Sequence, residues 1–153
     1  MRAPFDALLI LSLIGLSSTL LAAPGIGPSG PWSLKICVLH APTTWTPCAY
    51  LSDQLTLRVE NPTWPLAPQP KVVFDRKISA AFAQQLRDQA LKAISSIQRL
   101  PRSAVQVTQD GTSVIVEFSS GERAQHTGMG VNDAGPDAVK LLGLLHDATG
   151  IAF

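Results

Sequence analysis

The chain has 153 residues, with 12 lysines and arginines against 11 aspartates and glutamates and a net charge of +1. That balance, with Arg76-Lys77 as its only adjacent basic pair, argues against nucleic acid as a partner, because phosphate binding needs a basic patch or stripe. Charged residues make up only 15%, and 12 prolines with 11 glycines mark a turn-rich chain without low complexity.

Arg2 precedes an uncharged run, Ala7–Ala23 (ALLILSLIGLSSTLLAA), that ends in small residues before Pro24 and Gly25. A basic start, an apolar middle and a small-residue exit make a secretory signal. As a helix rising about 1.5 Å per residue, the run covers roughly 25 Å, short of a bilayer core of ~30 Å. Asp6 and the leucines at 20 and 21 depart from the ideal signal. Residues 1–23 therefore read as a signal peptide cleaved after Ala22 or Ala23, with an uncleaved N-terminal anchor as the alternative. In that alternative, residues 7–23 would be the chain's membrane contact. No cysteine stands near the run to carry a lipid. The expected destination is the periplasm or the exterior.

Residues 24–33 (PGIGPSGPWS) form a Gly/Pro-rich tether, and residues 34–153 are large enough for a single domain with a real core. Leu34–Leu39 reads as a short strand, followed by a loop closed by Cys37 and Cys48, eleven positions apart. In an oxidising compartment such a lone pair forms a disulfide. A zinc site would want four ligands, and the pair with His40 lacks that spacing; no C-x-x-C suggests redox catalysis. No metal and no cofactor are expected.

Residues 55–60 (LTLRVE) alternate apolar and polar side chains, the period of a half-buried strand. Residues 61–70 (NPTWPLAPQP) hold four prolines and cannot supply a central strand, whereas Lys71–Phe74 can form a short one. From Ile78 to Leu100, apolar residues at 78, 82, 86, 90, 93, 94 and 97 predict an amphipathic helix. Gln84, Gln85, Arg87, Asp88, Lys92 and Ser96 fill its polar face, Asp75 or Ser79 caps its start, and Pro101 marks its end. The Asp110-Gly111 turn predicts a hairpin between strands 104–108 and 112–118, and 122–127 returns as a polar edge strand. A final helix opens at Pro136, buries Val139, Leu142, Leu145 and Ala148, and ends at Gly150. The whole predicts an α+β fold: a mainly antiparallel sheet of four to six strands with two helices on one face.

Catalytic signatures are sparse. There is no G-x-S-x-G, and the histidines at 40, 126 and 146 lack metal-hydrolase spacing. Glu117 and Glu122 flank a turn as solvated charges, and His146 stands where it favours a helix dipole. The loop Gly128–Asp137 (GMGVNDAGPD), beside the strand that carries His126, gathers Asn132, Asp133 and Asp137 near a helix N-terminus and is the best functional loop candidate, with a glycine-rich connector as the plainer reading. Its oxygen ligands are too few for calcium. Trp32, Trp45 and Trp64 all fall in the Pro-rich first half, where exposed aromatics can bind a partner. The candidate binding residues are therefore Trp45, Trp64, His126, Asn132 and Asp133. The reading is a small exported, non-enzymatic protein that binds another protein or an envelope component, through these loops or the strand at 122–127. A different class is a small secreted hydrolase using His126 with Asp133 or Glu122, which needs a carboxylate or hydroxyl within ~3 Å of the ring. A third is a membrane-tethered accessory domain.

Overall fold

A computed structural model describes residues 31–40, 45–61, 71–101, 111–119 and 121–153. The strands are β1 (Ser33–His40), β2 (Cys48–Ser52), β3 (Thr56–Asn61), β4 (Lys71–Lys77), β5 (Thr112–Phe118) and β6 (Arg123–Gly128). Helix α1 (Ala80–Arg99) lies between β4 and β5 in the chain; a 3₁₀ turn, Val131–Ala134, then leads to α2 (Pro136–Thr149). All six strands pair antiparallel in one sheet ordered β4-β3-β2-β1-β5-β6, the predicted α+β fold. The expected signal at 1–23, the tether up to residue 30, Trp64 with its prolines and the strand at 104–108 lie outside the described residues.

Side-chain alternation explains the sheet. In β5 (TSVIVEF) every second residue is buried, so Val114, Val116 and Phe118 enter the core while Ser113, Ile115 and Glu117 face away. The same period sends Leu34, Ile36 and Val38 of β1, Leu51 of β2, and Leu57 and Val59 of β3 to that side. Leu86, Ala90 and Ala93 of α1 and Leu141 and Leu145 of α2 complete one buried cluster with them. Both helices therefore cover one sheet face, and among the described residues no helix lies on the other. Of the two expected caps for α1, Ser79 is used: its hydroxyl accepts from the Phe82 N–H at 3.2 Å.

Several expectations need correction. Cys48–Ser52, to which the sequence assigns no element, is strand β2; only Ala49 and Leu51 point inward, too few to show a period. Leu55 has φ 59° and closes the β2–β3 turn, its N–H donating to Ser52 O at 3.0 Å, so β3 begins one residue later than predicted. Ser33, assigned to the tether, opens β1, and Trp32 stacks on Phe118 with ring centroids 6.0 Å apart. Strand β5 pairs with β1 and β6, and the expected strand at 104–108 lies outside the described residues. In α2 the buried residues are Ala138, Leu141, Leu142 and Leu145, while Val139 is 37% exposed. Leu142 and Leu145 are buried as expected, while Ala138 and Leu141 take the place of Val139 on the side where Asp137 binds α1.

Candidate functional site

The predicted disulfide is present, joining Cys37 and Cys48 at directly paired positions of β1 and β2. Val38 N–H donates to Pro47 O at 3.0 Å, so the cysteine pair sits between hydrogen-bonded pairs, where antiparallel strands come closest. The Cα atoms are 4.1 Å apart, and both cysteines are buried.

The other singled-out residues do separate jobs. Trp45 donates its indole N–H to Ala152 O at 2.9 Å and ties the entry to β2 to the C-terminal segment. Trp64 lies outside the described residues. Asp133 Oδ2 accepts from Met129 N at 2.7 Å and Gly130 N at 3.2 Å, so its carboxylate holds the turn after β6. Asn132 is exposed and accepts from Gly135 N through its backbone oxygen at 3.1 Å. His126 is half-buried on β6 opposite Val114. Among the described residues, no hydrogen bond or ion pair joins its ring to a carboxylate or hydroxyl.

The strand that carries His126 has an open side. Phe118 N–H donates to Glu122 O at 2.7 Å, which fixes the alternation of the β5–β6 ladder. Val116–Ala124 and Val114–His126 are then the hydrogen-bonded pairs. Arg123, Gln125 and Thr127 point their backbone N–H and C=O groups away from the sheet. Gln98 Nε2 donates to Arg123 O at 3.0 Å. Among the described residues, the outward backbone groups of Gln125 and Thr127 have no partner. Strand β4, at the opposite edge, is protected: Lys71, Asp75, Arg76 and Lys77 charge it, and its register with β3 shifts at Val59/Glu60. Beyond Arg123, β6 carries no charge, proline or bulge.

The face without helices has its own order. The strand registers align Asp75, Arg58, Tyr50, Lys35, Glu117 and Arg123 in one rung that crosses all six strands. Ion pairs run along it: Arg58 to Asp75 at 3.7 Å, Lys35 to Glu117 at 3.3 Å and Arg123 to Glu117 at 3.0 Å. Arg58 also binds Glu60 at 2.6 Å. All these groups keep contact with solvent, which screens them. Lys35, Tyr50, Arg58 and Glu117 line a shallow depression of about 550 Å³ together with Ser52 and Thr56.

Two polar groups on α1 do not follow the predicted solvated face. Arg87 is only 8% exposed; its guanidinium lies 5.7 Å from the Trp32 ring centroid and 5.6 Å from that of Phe118, with Nε buried and unpartnered. Stacking on two aromatic faces offsets part of the desolvation of this cation. Ser96 donates its hydroxyl to Asp137 Oδ2, and Gln89 Nε2 donates to Asp137 O at 2.9 Å, clasping α2 to α1. The Ser96 bond, then the Gln89 bond and the charges of Lys92 and Lys140, hold the Asp137 carboxyl below its ordinary value of 3.8, against the opposing effect of burial.

Among the described residues, no three His, Cys, Asp or Glu side chains gather to hold a metal, and no helix is long and apolar enough to cross a membrane. The chain matches no known protein family and no curated protein.

Proposed function

We propose that the protein is a small exported, non-enzymatic binding protein that takes up an extended segment of an exported or envelope partner alongside β6. The observation that carries this reading is the pair of outward backbone sites at Gln125 and Thr127, which have no partner among the described residues, on a strand without charge, proline or bulge beyond Arg123. Strand addition uses such groups: main-chain hydrogen bonds supply affinity and alternate side chains supply choice. The buried Cys37–Cys48 disulfide is consistent with an oxidising compartment, periplasmic or external. Intact mass of the protein from its host would read signal cleavage and the two-hydrogen deficit together.

The test exploits which way each N–H points. Gln125 donates outward, so Gln125→Pro removes no bond of the β5–β6 ladder, and proline is tolerated at such edge positions. Gln125→Ala keeps the N–H and changes only the side chain. A partner cross-linked in envelope extract should be retained by Gln125→Ala and lost at least tenfold with Gln125→Pro. A partner held equally by wild type and Gln125→Pro, with both variants folded, would remove β6 as the site.

A further inference from the structure

We propose that the helix-free sheet face is self-complementary and docks a second copy of this chain. The rung reads, from β4 to β6, Asp75 (negative), Arg58 (positive), Tyr50 (aromatic), Lys35 (positive), Glu117 (negative) and Arg123 (positive). A two-fold axis parallel to the strands, over the β1–β2 boundary, lays β4 over β6, β3 over β5 and β2 over β1 of the second copy. Asp75 then faces Arg123, Arg58 faces Glu117, and Tyr50 faces Lys35, each pair made twice. The first two are ion pairs and the third a cation on an aromatic ring. Turning the axis perpendicular to the strands, along the rung, sets every charge against its own copy, so electrostatics select one orientation.

The neighbouring row toward β1's start tolerates this packing, whereas in the row on the other side the buried Cys37–Cys48 pair lies under the axis and Glu60 faces Ile115. In the first of these rows, Thr56 faces Ser119 and Ser52 faces Ser33, hydroxyl on hydroxyl. Lys77 is held by Gln54 O at 2.7 Å and Glu60 by Arg58, so neither is left as a lone charge. Sheets stack about 10 Å apart, a gap that Arg–Glu and Lys–Tyr side chains span. With strands about 4.8 Å apart, the rung is roughly 24 Å long, and strands of this length give a footprint on the order of 400 Å². A standard interface buries ~800 Å² per partner, so this dimer is weak, reversible and concentration-dependent. Its charges lie open to solvent, so it weakens with salt.

The experiment is sedimentation of the full chain purified from its host, at up to about 1 mM protein and at low and high salt. Wild type should show a monomer–dimer equilibrium that moves to monomer as salt rises. Arg58→Glu and Glu117→Arg should each weaken it at least tenfold, since each places like charges opposite one another twice. An equimolar mixture of the two variants should recover the dimer, because every facing pair is again opposite in sign. The double variant in one chain should recover it too, which separates lost pairing from lost folding. Gln125→Pro should leave the dimer unchanged. The proposal is overturned if wild type stays monomeric at low salt, or if the mixture associates no better than either variant alone. It is equally overturned if Gln125→Pro abolishes the dimer, which would place it edge to edge at β6.

Discussion

Reducing the Cys37–Cys48 bond perturbs the fold without removing an atom of the core. The cross-link closes a loop of sequence separation 11. In the chain-entropy picture a loop of that size restricts the unfolded chain by about 3 kcal/mol. Cys37 and Cys48 are 3% and 4% exposed, so reduced thiols remain packed where the disulfide was, and the loss isolates the cross-link. Replacing both by alanine also deletes two buried sulfur atoms, for a further ~1 kcal/mol. For a domain of this size, the reduced protein should melt roughly 10 °C lower. The assay is urea unfolding of oxidised, reduced and Cys37→Ala/Cys48→Ala protein, with the denaturant slope compared across all three. A reduced protein within ~1 kcal/mol of the oxidised one at unchanged slope would refute the chain-entropy argument.

Two further outcomes follow from the helices and the turn after β6. A Cβ on Gly128 would lie 2.6 Å from the Asp133 Cβ, so Gly128→Ala must push aside the carboxylate that binds Met129 and Gly130. It should cost about 1–3 kcal/mol in urea unfolding, and part of that cost should persist in the Asp133→Ala background, because alanine keeps the Cβ that the new methyl meets. Asp137 has a lowered pKa in the fold, so its contribution is fully present above the ordinary value of 3.8 and is lost as pH falls through the folded value. Asp137→Asn should lower the urea midpoint at pH 7 and flatten this acid limb; an acid limb as steep as wild type would contradict the assignment.

Much of the architecture is legible in the sequence where one periodicity acts alone. Strand β5 alternates at every position, and α1 carries its apolar side chains on one face between a serine cap and Pro101. Where two patterns compete, the tertiary contact decides. In α2 the leucines at 141, 142, 144 and 145 leave more than one buried stripe available. The clasp of Asp137 by Ser96 and Gln89 sets the rotation that turns Ala138 and Leu141 inward and Val139 outward. Arg87 illustrates the same competition. Its position on the helix belongs to the polar side, yet Trp32 and Phe118 offer aromatic faces that local spacing cannot reveal.

The site depends on topology in a stronger sense. Strand 122–127 was readable as polar and edge-like, but which of its backbone groups face outward follows only from the Phe118–Glu122 bond that sets the ladder. The rung goes further. Lys35, Arg58, Glu117 and Arg123 each read as an ordinary solvated charge on the polar side of an alternating strand. Their order of signs exists only because β5, a late strand in the chain, pairs with β1 at the free side of a four-strand meander. Insertion of β5 beside β1 puts Glu117 next to Lys35 and makes the two halves of the rung opposite under a two-fold axis. Pairing β5 beside β4 instead would keep every residue and every local pattern, yet the complementary order would vanish. The capacity for self-recognition therefore resides in the strand order, and the charge-swapped pair Arg58→Glu with Glu117→Arg addresses that order directly.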